Sequence, residues 1–294
     1  NTRDGLHIAN MGGAYLSMIA GFGGMRLDNA GLRLFPLLPD GWAGYSFLLA
    51  FRGSRISVSV NAEGCAVRML EGENQEVLVY DKSICVEKTE TQINRPIRAV
   101  IFDLDGVVTD TARYHYAAWK RIADELEIPF DQTGNERFKG VSRAECMHLL
   151  LEMGGRTMPQ EQMAIWLNKK NLYYLEELSS LSPEDILPGV AETLTDLKER
   201  NIPCALFSVS KNTKFILERI GLQDAFGAVV DGNDITHSKP HFEGYLLAAE
   251  RLGVDPRLCL MIEDAEMGLA GAKALSMRTI GIGTKYAADY NLAD

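Results

Sequence analysis

Three patterns of apolar and polar positions follow one another along the chain. In residues 6–26 the apolar positions Ile8, Met11, Tyr15, Met18 and Ile19 recur at helical spacing. Gly12 and Gly13 suit close packing, and the glycines from Gly21 to Gly24 predict the end of that helix. Over residues 28–94 the period drops to two. Tyr45, Phe47, Leu49 and Phe51 alternate with Ser46, Leu48, Ala50 and Arg52. After a turn at Gly53-Ser54, Ile56, Val58 and Val60 alternate with Ser57, Ser59 and Asn61. Short strands are predicted around 66–70, 76–80 and 84–88, separated by polar runs, and Ile93-Asn-Arg-Pro96 reads as a linker. This middle stretch predicts a small antiparallel sandwich or barrel.

From residue 97 onward, short apolar runs alternate with helical patterns. Strands are predicted at 98–103, 204–208, 228–231, 259–263 and 278–282, and helices at 190–200, 212–220, 243–252 and 266–275. That alternation implies a parallel sheet wrapped by helices. Residues 112–182 depart from it, because they lack strand signals. There Ala118, Ile122 and Leu126 form one apolar face, and Met163, Trp166 and Leu167 belong to another. An all-helical insertion directly after the first strand would sit over the strand ends as a lid.

Composition adds exclusions. The chain has 294 residues, enough for about two domains. A formal net charge of -10 with no long basic run argues against nucleic acid or an anionic membrane as partner. No apolar run approaches membrane-spanning length. The five cysteines are widely spaced with no Cys-x-x-Cys pair, which fits a reducing cytoplasm rather than a disulfide framework or zinc site. The chain opens at Asn1 in what reads as mid-domain, so a piece of a longer protein is expected.

Candidate chemistry gathers at one edge of the predicted sheet. The apolar run Ala99 to Phe102 ends in Asp103 and Asp105. Two carboxylates at a strand end are costly to bury unless a cation or a reaction uses them. The next strand ends in Ser208-Val209-Ser210-Lys211-Asn212, a loop carries Ser238-Lys239-Pro240, and the strand at 259–263 ends in Glu263-Asp264. Taken singly, these are an N-cap, a solvated turn and a helix start. Taken together they form a site: carboxylates for a hard cation such as Mg²⁺, hydroxyl and amide donors for phosphate, and a lysine for charge neutralisation.

These motifs resemble the haloacid dehalogenase superfamily of aspartate-nucleophile phosphotransferases, over about residues 97–283, and within it the β-phosphoglucomutases. The carriers are Phe102-Asp-Leu-Asp-Gly-Val-Val-Thr-Asp-Thr111, His115, Ala118-Trp119, Lys139-Gly-Val-Ser-Arg143, Ser208 to Asn212, Ser238-Lys-Pro240 and Glu263-Asp264. The resemblance implies that Asp103 becomes an aspartyl-phosphate and that Asp105 is the general acid/base. It implies Mg²⁺ as cofactor, held by Asp103, the Asp105 carbonyl and Asp264 with help from Glu263. Thr111 would sit at the hinge to the lid, and His115 would hold Asp105 in position. Ser208, Lys239 and amides around Val209 and Ser210 would hold the transferring phosphate. Arg143 would clamp the other phosphate, Lys139 and Gly140 would also bind substrate, and Lys211 and Asn212 would be further phosphate or sugar contacts. The implied substrates are β-glucose 1-phosphate and glucose 1,6-bisphosphate. A sugar-phosphate phosphatase on the same fold, or a non-catalytic module, are the competing readings. The chain departs from the family pattern at Ala265, where Ser is usual, and at His241-Phe-Glu-Gly-Tyr245, where Pro-Asp-x-Phe is usual. It also ends at Asp294, before the family's usual final strand and helix.

The front segment resembles the C-terminal end of the inverting disaccharide phosphorylases that act on maltose, trehalose and kojibiose. Its carriers are Gly5-Leu-His-Ile-Ala-Asn-Met-Gly-Gly13, Gly21-Phe-Gly-Gly-Met-Arg26 and Pro36-Leu-Leu-Pro-Asp-Gly-Trp42, with His7 as a phosphate-pocket candidate. The expected organisation is therefore 1–27 as the tail of a phosphorylase helical barrel, 28–95 as a small β-sandwich, and 96–294 as a haloacid-dehalogenase-like core. That core is an α/β Rossmannoid parallel sheet with a helical cap at about 112–182. Linkage to an upstream phosphorylase barrel is expected.

Overall fold

The structure, a computed structural model, describes residues 8–29, 31–39, 41–138, 142–283 and 288–292, the side chains of residues 8–12 and 14 excepted. The chain divides into two compact units, Asn1–Ile97 and Arg98–Asp294.

The first unit opens with helix α1 (Ile8–Gly21), which stops where the glycines begin. Of its predicted stripe, Ile19 is 3% exposed and enters the core, whereas Tyr15 and Met18 are 44% and 52% exposed. Tyr15 is held at the edge instead: its hydroxyl donates to the Leu48 carbonyl (2.8 Å) and accepts from the Leu48 N–H (2.9 Å). Eight strands follow: β1 (Arg26–Asp28), β2 (Gly31–Leu34), β3 (Tyr45–Phe51), β4 (Ser54–Val60), β5 (Gly64–Glu71), β6 (Gln75–Val79), β7 (Lys82–Val86) and β8 (Thr91–Asn94). They form two four-stranded sheets, ordered β1-β2-β6-β7 and β3-β4-β5-β8. All pairings are antiparallel except β2 with β6, which run parallel, a departure from the purely antiparallel expectation. The alternation in sequence becomes alternation in burial: Ser54, Ile56, Val58 and Val60 are buried on β4, while the residues between them face outward. Leu32, Leu34, Val77 and Val79 from one sheet meet Phe47, Ile56, Val67 and Met69 from the other in a shared core. Each such side chain contributes roughly 1.5–3 kcal/mol by its removal from water.

The second unit contains a six-stranded parallel sheet. Its strands are β9 (Ala99–Phe102), β10 (Cys204–Phe207), β11 (Ala228–Val230), β12 (Cys259–Glu263), β13 (Arg278–Ile282) and β14 (Tyr290–Leu292), ordered β11-β10-β9-β12-β13-β14. β9 and β10 are buried along their whole length, as befits central strands covered on both faces. β14 pairs parallel with β13, so the sheet gains an edge strand where the sequence was expected to stop short. Around the sheet pack α6 (Val190–Glu199), α7 (Thr213–Arg219), α8 (Glu243–Leu252) and α9 (Glu266–Lys273). The small residues Ala248, Ala249 and Ala272 let α8 and α9 approach Ile101, Phe207 and Met261 closely. Successive strands add outward from β9 on either side, so the topological switch lies at the carboxyl end of β9.

The insertion between β9 and β10 is helical among the described residues: α2 (Ala112–Glu125), α3 (Gln132–Asn135), α4 (Arg143–Met153) and α5 (Gln160–Leu178). It has its own core, built on Trp119, Ile122, Met147, Leu150 and Met163. Its two connections to the sheet are joined: Thr109 Oγ1 donates to the Asp185 carbonyl (2.8 Å), and the Leu187 N–H to the Val108 carbonyl (3.0 Å).

Candidate active site

Register brings the predicted residues to one level. Phe102 pairs with Leu206 on one side and Ile262 on the other, so Asp103, Ser208 and Glu263 emerge together at the sheet edge. The chain then turns sharply: the Gly106 N–H donates to the Thr109 carbonyl (2.8 Å), and the N–H groups of Val108 and Thr109 both reach back to Leu104. Gly106 adopts φ +81°, and a Cβ there would lie 2.1 Å from Asp264 Oδ2. Only glycine permits this turn beside the acidic residue.

Asp103 and Glu263 are buried, and both accept from the Lys239 ammonium, at 2.7 Å in the case of Glu263 Oε2. Burial works against the Lys239 charge, but Asp103 and Glu263 hold it protonated well above the usual lysine range. The carboxylates pay for this crowding. Burial, and then the charge of Asp103, push Glu263 upward, Asp264 to about 6 and Asp105 to about 7. One lysine does not neutralise four acids. Oxygens of Asp103, Glu263 and Asp264 lie within 4.8 Å of one another, an all-oxygen set that fits a hard divalent cation. The raised carboxylates are the second sign of that fit, because a cation would draw them back toward ionisation.

Asp105 is tied to the cap. Thr111 Oγ1 donates to Asp105 Oδ1, and the buried Tyr174 hydroxyl donates to Thr111 Oγ1 (3.2 Å). His115 was expected to hold Asp105, but its Nδ1 accepts from Lys170 Nζ (2.9 Å), and the bond to Asp105 comes from Thr111. The His115 ring stacks on Tyr174 at 4.0 Å. Burial, then the charges of Lys170 and Arg143, hold His115 well below its usual range and therefore neutral. Lys170 is buried over the rings of Tyr174 and Trp119, and burial followed by the Arg143 charge lowers it to about 7. Arg143 itself is half-buried at the start of α4, behind the Ser142 N-cap. Arg143, Lys170 and His115 thus gather in the cap. Lys139 and Gly140 lie outside the described residues, as does His7.

On the sheet side, Ser208 is buried and its Oγ accepts from the Ser210 N–H (3.1 Å), while Ser210 Oγ accepts from the Asn212 N–H (3.2 Å). Val209 and Lys211 are exposed at the tip of this loop. Asn212 Nδ2 donates to Asn171 Oδ1 on α5 (3.3 Å), a direct hydrogen bond between sheet side and cap. Ala265 opens α9 with no side-chain cap, so the usual serine bond is absent. Lys170, Asn171 and Tyr174 escaped the sequence reading. The available signal was a lysine on the stripe Met163, Lys170, Tyr174, Leu178, every member of which is buried.

The geometry agrees with the family comparisons. Residues 97–275 match the family model for haloacid dehalogenase-like hydrolases. The chain belongs to this family. Over 191 residues it is 44% identical to a β-phosphoglucomutase of Bacillus subtilis, across 64% of this chain and 84% of that one. The solved structure of a β-phosphoglucomutase from Clostridium difficile shares 39% identity with a TM-score of 0.59, over 64% of this chain and 85% of its own. At the other end, residues 25–86 match the C-terminal domain of glycosyl hydrolase family 65. An α,α-trehalose phosphorylase of Geobacillus stearothermophilus is 42% identical over 90 residues, which is 31% of this chain and 12% of that one. The chain is thus a family member of phosphoglucomutase type preceded by a phosphorylase-like segment. No described helix is long and apolar enough to cross a membrane.

Proposed function

We propose that the second unit is a β-phosphoglucomutase, converting β-glucose 1-phosphate to glucose 6-phosphate through an aspartyl-phosphate on Asp103 and a glucose 1,6-bisphosphate intermediate. The observation that carries the reading is the joining of two halves. An aspartate pair with its lysine lies at the sheet edge, and a cap presenting Arg143 and Lys170 is hydrogen-bonded to it through Thr111 and Asn171.

Phosphorylated Asp103 would pass its phosphoryl group to the sugar 6-hydroxyl while Asp105 takes the hydroxyl proton. A carboxyl near 7 can both accept and return a proton at neutral pH. The bisphosphate would turn over, and Asp103 would accept the phosphoryl group from the 1-position. Lys239 neutralises the nucleophile's surroundings, and Ser208 with the loop amides receives the phosphoryl oxygens. Mg²⁺, held by Asp103, Glu263, Asp264 and the Asp105 carbonyl, would supply charge neutralisation for the transferring group. Arg143 would recognise the non-reacting phosphate, so that the cap closes on a phosphorylated sugar and keeps water from the aspartyl-phosphate.

We further propose that residues 1–27 and 28–95 are the end of a disaccharide phosphorylase. An inverting phosphorylase acting on an α-linked glucoside releases β-glucose 1-phosphate, the anomer this site would consume.

The test is ³¹P NMR of the chain with Mg²⁺, β-glucose 1-phosphate and a trace of glucose 1,6-bisphosphate. Glucose 6-phosphate without inorganic phosphate is the expected product. Inorganic phosphate as main product would make the protein a sugar-phosphate phosphatase, and an unchanged spectrum from folded chain would make it a non-catalytic module.

A further inference from the structure

The loop that delivers Lys239 and the first residue of α8 carry a second set of ligating side chains, two of which, His241 and Glu243, lie where the chain departs from the family pattern. His237, His241 and Glu243 each place one ligating atom within 4.8 Å of the other two. Glu243 is anchored: Oε2 accepts the His237 N–H (2.7 Å), and both oxygens accept the Thr236 N–H (3.1 Å each). Those backbone bonds, from His237 first and then Thr236, keep the carboxyl below its usual range and hence charged. His237 Nδ1 lies 3.1 Å from Glu243 Oε2, and the rings of His237 and His241 stand 4.3 Å apart. His237 is exposed, while His241 and Glu243 are half-buried. His237 and His241 line an open depression of about 670 Å³ that also takes in Ser238 and Phe242.

We propose that His237, His241 and Glu243 bind a divalent transition-metal ion of the zinc class, separate from the carboxylate centre, and so fasten the loop that carries Lys239. The donor set decides the class of ion. Two imidazole nitrogens and one carboxylate suit Zn²⁺ and its neighbours, whereas Asp103, Glu263 and Asp264 offer only oxygens and suit Mg²⁺. In a tetrahedral zinc site the ligand atoms stand about 3.4 Å apart, given bonds of about 2.1 Å. A modest rotation of the exposed His237 ring would close the remaining gap. Glu243 keeps lone pairs beyond those its backbone donors use. Coordination through the Nδ1 atoms would displace two contacts, the Glu243 N–H to His241 Nδ1 bond (3.2 Å) and the His237 Nδ1 contact with Glu243 Oε2 (3.1 Å). Three protein ligands leave a fourth position for water or an incoming donor.

Isothermal titration of the full chain with Zn²⁺, in millimolar Mg²⁺, tests this. The expected result is one Zn²⁺ per chain at micromolar or tighter affinity. His237→Ala and His241→Ala should each weaken it at least about tenfold. Asp264→Asn, which strips the carboxylate centre, should leave it unchanged. Affinity no tighter than millimolar, or binding that survives both histidine substitutions and disappears with Asp264→Asn, would overturn the proposal. Both histidines lie on a surface loop, and far-UV circular dichroism of each variant would confirm that a loss of binding is not a loss of fold.

Discussion

Lys170 illustrates how one residue ties stability to pH. Burial and the Arg143 charge lower it from 10.5 to about 7 in the folded protein. The folded state therefore gives up this proton earlier than the unfolded chain does. Below about pH 7 both states carry the charge and the burial penalty is present in full. Between about pH 7 and 10.5 the folded state is neutral while the unfolded chain is still charged, so the penalty is relieved as pH rises. Its full size is on the order of 5 kcal/mol. Lys170→Met keeps the bulk and removes the charge, at the expense of leaving His115 Nδ1 without its donor. The melting temperature of Lys170→Met relative to the unaltered protein should accordingly be higher at pH 6 than at pH 9. A difference independent of pH would show that Lys170 does not titrate in this range. At the carboxylate centre, Asp103→Asn should lower turnover of β-glucose 1-phosphate by more than about 10³-fold, the scale of losing a nucleophile, with the fold retained.

At the scale of elements, the turn after β9 and the contact between α5 and the β10 loop govern how the site is assembled. Gly106→Ala would force a Cβ to within 2.1 Å of Asp264 Oδ2 at a φ of +81°. Strain at such a position is worth about 1–3 kcal/mol. Because Asp264 must move aside, Mg²⁺ binding measured by titration should weaken at least about tenfold. Asn171→Ala removes the hydrogen bond from Asn212 to the cap. The expected outcome is a KM raised several-fold with a larger share of substrate ending as inorganic phosphate, since a cap held less firmly admits water. Release of phosphate unchanged by Asn171→Ala would mean that this bond has no part in closure. These elements also explain which parts of the site could be read from sequence. Asp103, Asp105, Ser208, Lys239, Glu263 and Asp264 each follow an apolar strand or interrupt a loop, so local pattern exposed them, and β9, β12 and β13 were found for the same reason. Lys170 and Asn171 lie mid-helix, where a lysine and an asparagine read as a solvated face; only the packing of α5 on α2 places Lys170 against His115. The parallel pairing of β2 with β6 depends on a partner distant in sequence, which periodicity does not encode, and β14 is three exposed residues, too short to show a pattern.

At the scale of the whole molecule, each unit has its own core. The β unit rests on Ile56, Val58, Met69 and their neighbours, and the other unit on Ile101, Phe207 and Met261, with the cap cluster around Ile122 and Leu150. Where two units unfold independently, ligand linkage acts only on the one that binds the ligand. Mg²⁺ at a hundred times its dissociation constant should stabilise the unit spanning Arg98–Asp294 by about 2.7 kcal/mol. Ile56 is fully buried in the β unit, and Ile56→Ala should cost that unit about 2–5 kcal/mol. Differential scanning calorimetry of the full chain should therefore resolve two transitions. One should rise with Mg²⁺ and ignore Ile56→Ala, and the other should fall with Ile56→Ala and ignore Mg²⁺. A single transition that answers to both would show that the two cores unfold as one cooperative block. In that case binding at the carboxylate centre would also stabilise the phosphorylase-like segment.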